Sequence, residues 1–231
     1  MTQRKIEIIS PTFIDAQKLP PQQDLSLLFP TQQPLALEIG CGIGDFILQR
    51  AAQQPMVNFL AIDIYNKGCY KTCRRIDESP LTNVRVIRME ARHLLSHFGQ
   101  PDMFTAIYIN CPDPWPKKRH RNRRLVNHTF LTQILHYLKP NGDLYFITDV
   151  EDYAQQVAEL FPIMGGYANQ LTSPYTLTLD DYPQSKYMRR FLDKNLPIHF
   201  QHQRRQADFT LKTNMLPATQ MGFRNRHTLE G

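Results

Sequence analysis

Four acids stand at the ends of short apolar runs: Glu38 in LALEIG, Asp63 in FLAIDI, Glu90 in VRVIRME and Asp113 in TAIYINCPD. Carboxylates so placed accept hydrogen bonds and attract cations, so they suit a ligand carrying hydroxyls, amines or positive charge. Gly40, Gly42 and Gly44 follow Glu38 directly, in LEIGCGIGDF. Glycines there let the backbone turn sharply and approach a ligand at a helix start. The spacing is G-x-G-x-G, not the G-x-G-x-x-G of dinucleotide binders, and an acid ahead of the loop disfavours a pyrophosphate. The amino group and sulfonium of S-adenosylmethionine match that acid. Asp63 then suits two ribose hydroxyls, the alternative being a solvated strand end. Glu90 suits the exocyclic amine of adenine, the alternative being a charge set against a helix N-terminus.

The segment NCPDPWPKKRHRNRRL (110–125) adds a different chemistry. Asp113 lies between two prolines, which fix the backbone and hold the carboxylate in one place. Trp115, the single tryptophan, offers a flat face for a nucleobase. Six Lys/Arg residues between 117 and 124, Lys117, Arg121 and Arg123 among them, suit phosphates. Taking those six away leaves 21 Lys/Arg against 21 Asp/Glu, so the net charge of +6 is local. A concentrated basic patch calls for a polyanionic partner, nucleic acid first. The bland alternative is a solvated charged face beside a core tryptophan.

These residues need a scaffold that brings strand ends together. The runs at 35–40, 59–64, 84–89, 105–110 and 143–148 read as strands, with helices expected at 45–53, 66–77, 91–98, 127–138 and 151–161. Alternation of this kind predicts an α/β fold with a mostly parallel sheet and helices on both faces. KPNG (139–142) reads as a turn, Asp149 as a residue near the N-cap of the last helix, and TLTL (176–179) as a late strand. One domain over 1–200, followed by a basic, flexible tail over 201–231, is the expected organisation.

With 42% hydrophobic residues the chain has the composition of a folded protein. No apolar run reaches bilayer length and MTQRKIEIIS has no signal-peptide core, which predicts a cytoplasmic protein with no membrane partner. Cys41, Cys69, Cys73 and Cys111 fit neither zinc spacing nor a disulfide framework, and Cys69 and Cys73 read as buried thiols on one helix face.

The Pro-Asp-Pro-Trp knot with its basic run resembles the bacterial tRNA (guanine-N7-)-methyltransferase family. The similarity extends over about residues 34–192, through LEIGCGIGDF, AIDIY, MEA, PDPWPKKRHRNRRL, TD and SKY. It implies a Rossmann-like S-adenosylmethionine-dependent methyltransferase fold and a tRNA substrate. Glu38, Asp63, Glu90 and Asp113 would line the cofactor site, and Asp113 would be the catalytic position. Lys117 and Asp149 would bind substrate, with Ser185, Lys186, Tyr187 and Met188 as the C-terminal substrate segment. That segment departs from the family's Thr-x-x-Glu: the hydroxyl is kept and the carboxylate is replaced by Met188. A methyltransferase acting on another RNA or on a protein, and a non-catalytic RNA-binding module, are the competing readings. The glycine spacing disfavours a nicotinamide dehydrogenase. A monomer or homodimer is expected.

Overall fold

The computed structural model describes residues 6–211. The expected apolar runs form β2 (Leu35–Ile39), β3 (Asn58–Asp63), β4 (Val84–Arg88), β5 (Phe104–Asn110) and β6 (Leu138–Thr148), all mutually parallel. A two-residue strand, β1 (Phe13–Ile14), pairs with β4, while β7 (Tyr167–Asn169) and β8 (His199–Arg205) complete the other side. The order is β1-β4-β3-β2-β5-β6-β8-β7, with β8 antiparallel to both its neighbours. β2 therefore sits between β3 and β5, where the chain first winds one way and later the other.

Helices cover both faces. On one face α3 (Ala91–Phe98), α4 (His128–Tyr137) and α5 (Glu151–Met164) bury Leu94, Leu95, Phe130, Ile134 and Val157 against Leu37 and Ile107. On the other, α1 (Asp45–Gln53), α2 (Asn66–Asp77) and α6 (Lys186–Leu192) bury Phe46, Ile47, Cys69, Cys73 and Met188 against Ala36 and Tyr108. β2 is buried along its whole length, which is why its sequence is a continuous apolar run broken only by Glu38. Cys69 and Cys73 are buried free thiols, as their spacing suggested.

Several expectations change. KPNG does not separate two elements: pairing with β5 jumps from Phe104↔Leu138 to Ala106↔Asp143, so residues 139–142 bulge out within one strand. Asn141 supplies a positive φ of 60° there, the left-handed conformation that lets the chain re-enter the ladder. The N-cap of α5 is Val150, without a side-chain cap, and Asp149 is engaged elsewhere. The strand expected at 176–179 reduces to one bridge, Thr176↔Phe200. The boundary expected at residue 200 falls inside β8, and the tail beyond 211 lies outside the described residues.

β8 escaped the sequence pattern because HFQHQRR is polar yet mostly buried. Most of its polar side chains find a partner, although Gln201 Oε1 and Arg205 Nε are buried without one. The Gln201 amide donates to the Ala154 carbonyl at 2.5 Å, Arg204 and His202 both meet Asp143 at 2.9 Å, and Arg205 meets Asp102 and the Leu138 carbonyl. Among the described residues no helix is long and apolar enough to cross a membrane.

The approach of α2 to the glycine loop depends on Gly68, where a Cβ would lie 2.6 Å from the Gly42 carbonyl oxygen. Backbone cannot yield as a side chain can. Gly68→Ala should therefore lower stability by about 1–3 kcal/mol, read as a shifted midpoint in urea melts. An unshifted midpoint would mean that α2 does not seat this closely.

Candidate active site

The loop after β2 is held from below. The amides of Gly40 and Cys41 donate to the Ile62 carbonyl at 2.8 and 3.0 Å, which folds the loop back over β3. Gly40 and Gly42 have φ of 83° and 56°, and a Cβ at either would meet nothing within 4 Å. Their outer faces are thus open, a cradle that side chains would fill. Asp63 accepts from the Gly42 amide and the Tyr65 amide, both at 2.8 Å. Burial pushes its carboxyl above the ordinary range, and those amides pull it back. One carboxylate thereby fixes the glycine loop, the turn into α2 and one wall of a cavity.

That cavity, about 270 Å³, opens where the carboxyl ends of β2, β3, β4 and β5 converge. Gly40, Asp63, Glu90, Asp113, Trp115 and Arg123 all line it, together with Asn110 and Arg92. Glu90 caps α3: one oxygen accepts from the His93 amide at 3.1 Å and the other pairs with Arg92 at 3.0 Å. The helix-terminus alternative for Glu90 is therefore what the structure shows, and the same residue also lines the cavity.

The Pro-Asp-Pro-Trp knot is held by backbone geometry and by one buried cation. Cys111 and Trp115 flank Asp113 with φ of 45° and 42°, conformations that cost a non-glycine residue ~1–3 kcal/mol each. Arg124, 1% exposed, opposes that cost. Its guanidinium donates to the Pro114 carbonyl at 2.8 Å, to Gln156 at 2.5 Å and to Asp152 at 2.7 Å, and lies 4.5 Å from the Tyr153 ring centroid. The Tyr153 hydroxyl accepts from the Val126 amide at 2.8 Å, so α5 clamps both ends of the segment.

The basic run therefore divides. Arg124 is internal, Arg121 pairs with Asp152 at 2.6 Å, and Arg123 lies over the Trp115 ring at 5.0 Å. His120 meets the same indole edge-on, at 5.9 Å. Lys117, Lys118 and Arg119 are exposed. A reading of all six cations as equivalent phosphate contacts is corrected on this point. A guanidinium out of water, with hydrogen bonds to three partners, is a structural tie and reaches no ligand.

Glu38 is 1% exposed, and burial pushes its carboxyl up to about 8. The Asn110 amide donates to Oε1 at 3.3 Å, whereas Oε2 is buried with no partner. An orphaned carboxylate oxygen beside an open glycine cradle fits a cationic group. Farther along, Asp149 accepts from the Tyr187 hydroxyl at 3.1 Å. Ser185 caps α6, its Oγ accepting from the Met188 amide at 3.1 Å, and the Lys186 amide donates to Asp45 at 3.2 Å. Met188 is corrected as a substrate contact: its side chain is wholly buried under α6, where an apolar group at that helical position packs into the core.

Asn110, Arg92, Arg124 and Tyr182 are participants that sequence reasoning missed. Asn110 carried a signal, being a polar residue closing an apolar strand. Arg124 carried none, because its neighbours in sequence are equally basic.

Comparison with known proteins places the chain in context. The family whose pattern matches residues 32–200 is described as "Putative methyltransferase". A tRNA (guanine-N(7)-)-methyltransferase of Syntrophotalea carbinolica is 52% identical over 224 residues, covering 97% of both chains. One from Geobacter metallireducens is 50% identical, covering 89% of this chain and 98% of the relative. Among solved structures, the 16S rRNA methyltransferase KamB has a TM-score of 0.57 at 12% identity, covering 75% of this chain and 88% of that one. TrmN from Thermus thermophilus has a TM-score of 0.52 at 20% identity, covering 75% and 45%. At such identities these two share the fold, a Rossmann-like methyltransferase architecture.

The state of Glu38 has a measurable consequence. A carboxyl whose folded pKa exceeds its unfolded value binds its proton more tightly when folded, so stability falls as pH climbs from about 4.5 to about 8. Glu38→Gln has no such proton to lose. Without added ligand it should gain on the wild type across that window, by roughly 5 kcal/mol at its upper end. Urea melts at a series of pH values decide it: a gap that does not vary with pH would show that Glu38 titrates normally.

Proposed function

The chain belongs to the tRNA (guanine-N(7)-)-methyltransferase family, and we propose that it transfers a methyl group from S-adenosylmethionine to N7 of a guanine in tRNA, by family resemblance the variable-loop guanosine. The observation that carries this reading is the cavity in which Gly40, Asp63, Glu90 and Asp113 meet beside Trp115. Its acids suit a donor with one cationic end, two ribose hydroxyls and an adenine amine. Glu38 with Gly40 and Gly42 serves the cationic end, Asp63 the ribose and Glu90 the base edge. The protein acts in the cytoplasm, as a monomer or homodimer.

When bound, S-adenosylmethionine supplies a methyl group on a sulfonium, an electrophile that needs no further activation. The N7 of guanine carries a lone pair and no proton, so the protein need not provide a general base. Asp113 orients the acceptor, taking hydrogen bonds from the guanine N1–H and N2–H₂ edge, and offsets the positive charge that grows on the purine. The strained, clamped knot suits that task, because a carboxylate that wandered by an ångström would lose the alignment. Asp149 and Tyr187 form a polar pair at the neighbouring strand end and serve the acceptor side, with Ser185 and Lys186 setting the start of α6. Trp115 and Arg123 wall the cavity beside the base. Lys117, Lys118 and Arg119 grip phosphates.

Incubation with unmodified tRNA and labelled methyl donor, followed by nucleoside analysis, tests the whole reading. Label in 7-methylguanosine is expected; label in another nucleoside or in protein would assign a different acceptor. Asp113→Asn keeps one acceptor but turns an amide donor toward the guanine N–H edge. Single-turnover rates should fall ~10²–10³-fold with little loss of tRNA affinity, since phosphate contacts dominate that. A variant as fast as wild type would remove Asp113 from the site. In a Lys118→Ala, Arg119→Ala double variant the salt dependence of tRNA binding should flatten by about one to two in log–log slope. An unchanged slope would leave these side chains as a solubilising face.

A further inference from the structure

We infer that Asn110 and Tyr182 are positioning residues for Glu38, a relay that holds one carboxylate oxygen and reserves the other for the cationic end of the methyl donor. The inference rests on the donor assigned above. The Tyr182 hydroxyl donates to Asn110 Oδ1 at 2.7 Å, and Asn110 Nδ2 donates to Glu38 Oε1 at 3.3 Å. The order of donors matters. An amide turned the other way would set its oxygen against the carboxylate, and the tyrosine proton, with only the amide oxygen to receive it, fixes the favourable sense. Tyr182 and Glu38 are 7% and 1% exposed, so each bond has one end out of water that its loss would strand, while Asn110 between them is half-buried and lines the cavity.

The groups facing Glu38 are otherwise unhelpful to a negative charge. Asp63 on β3 and Asp45 on α1 repel it, and Cys41 lies in the loop beside it. Tyr108 and Tyr182 are buried phenols, with Arg50 stacked over their rings at 5.5 and 5.3 Å. Asn110 is the neighbour that favours the ionised form. Tyr182 also precedes α6, whose Tyr187 reaches Asp149 at 3.1 Å and whose Lys186 amide reaches Asp45. One segment thus reaches the acid that serves the donor, through Asn110, and bonds directly to the acid that serves the acceptor.

Carbon-13 NMR of labelled glutamates in the ligand-free protein reads the relay directly. Asn110→Ala should move the Glu38 midpoint upward by about one pH unit, and Tyr182→Phe should move it the same way by less. Calorimetry with S-adenosylmethionine should then show Asn110→Ala binding ~10-fold more weakly near neutrality, the gap narrowing about two pH units higher as Glu38 ionises in both proteins. A midpoint unmoved in folded variants, or an affinity loss equal at both pH values, would reduce the relay to ordinary packing. Tyr182→Phe carries the test if Asn110→Ala does not fold. Absence of methyl transfer to tRNA by the wild type would count against the assigned reaction alone, because the titration is measured without donor or tRNA.

Discussion

The position of β2 between β3 and β5 is the constraint on which the rest depends. The chain leaves β2 to build one half of the sheet and returns to build the other, so the connections at its carboxyl end diverge and a crevice opens between them. Parallel pairing then places the ends of β3, β4 and β5 around that crevice. Asp63 and Glu90 at two strand ends and Asp113 of the knot share one cavity because of this topology, although 50 residues separate Asp63 from Asp113.

Two unfavourable features sit at or beside this crevice, and the second is opposed by a buried interaction. Glu38 is a charge-bearing group taken out of water with one oxygen unpartnered, a cost that a cationic ligand would relieve. Cys111 and Trp115 hold left-handed backbone on either side of Asp113. Arg124 fastens that strained turn to α5 through Asp152, Gln156 and the face of Tyr153. Removing Asp152 would strand the buried Arg124 charge, which is costlier than losing a surface contact. The tie is therefore structural even though it lies within a run of residues suited to phosphates.

The second half of the molecule binds to the first through polar contacts more than through an apolar stripe. β8 joins β6 by its antiparallel ladder and by His202 and Arg204 on Asp143, while Gln201 reaches the Ala154 carbonyl of α5 and Arg205 reaches Asp102. The stretch before α6 reaches the centre through Tyr182, and α6 itself is fixed by Asp45, the Ser185 cap and the buried Met188. The loss of a carboxylate at position 188 from the family pattern is consistent with that packing: an apolar side chain there faces the core. Asp149 and Tyr187 remain as a polar pair between the end of β6 and α6.

By itself the sequence determined the five parallel strands, the five helices from residue 45 to the end of α5, and the identity of the acids along the crevice. Continuous apolar runs and period-3.6 stripes are local signals, and a strand of a doubly wound sheet has to be apolar because helices cover both its faces. Glycines and prolines around Glu38 and Asp113 were legible for the same reason, since they report backbone conformation at their own positions. Tertiary structure alone decided β7, β8 and α6, the bulge at 139–142, and the separate fates of Arg121, Arg123 and Arg124. It also decided that Asp149 meets Tyr187 and that Asn110 joins Tyr182 to Glu38. In each of these a polar residue is buried or oriented by a partner that lies far along the chain or on another element. A guanidinium that grips phosphate and one that is locked against Asp152 have the same side chain, and only the partners it meets in the fold distinguish them.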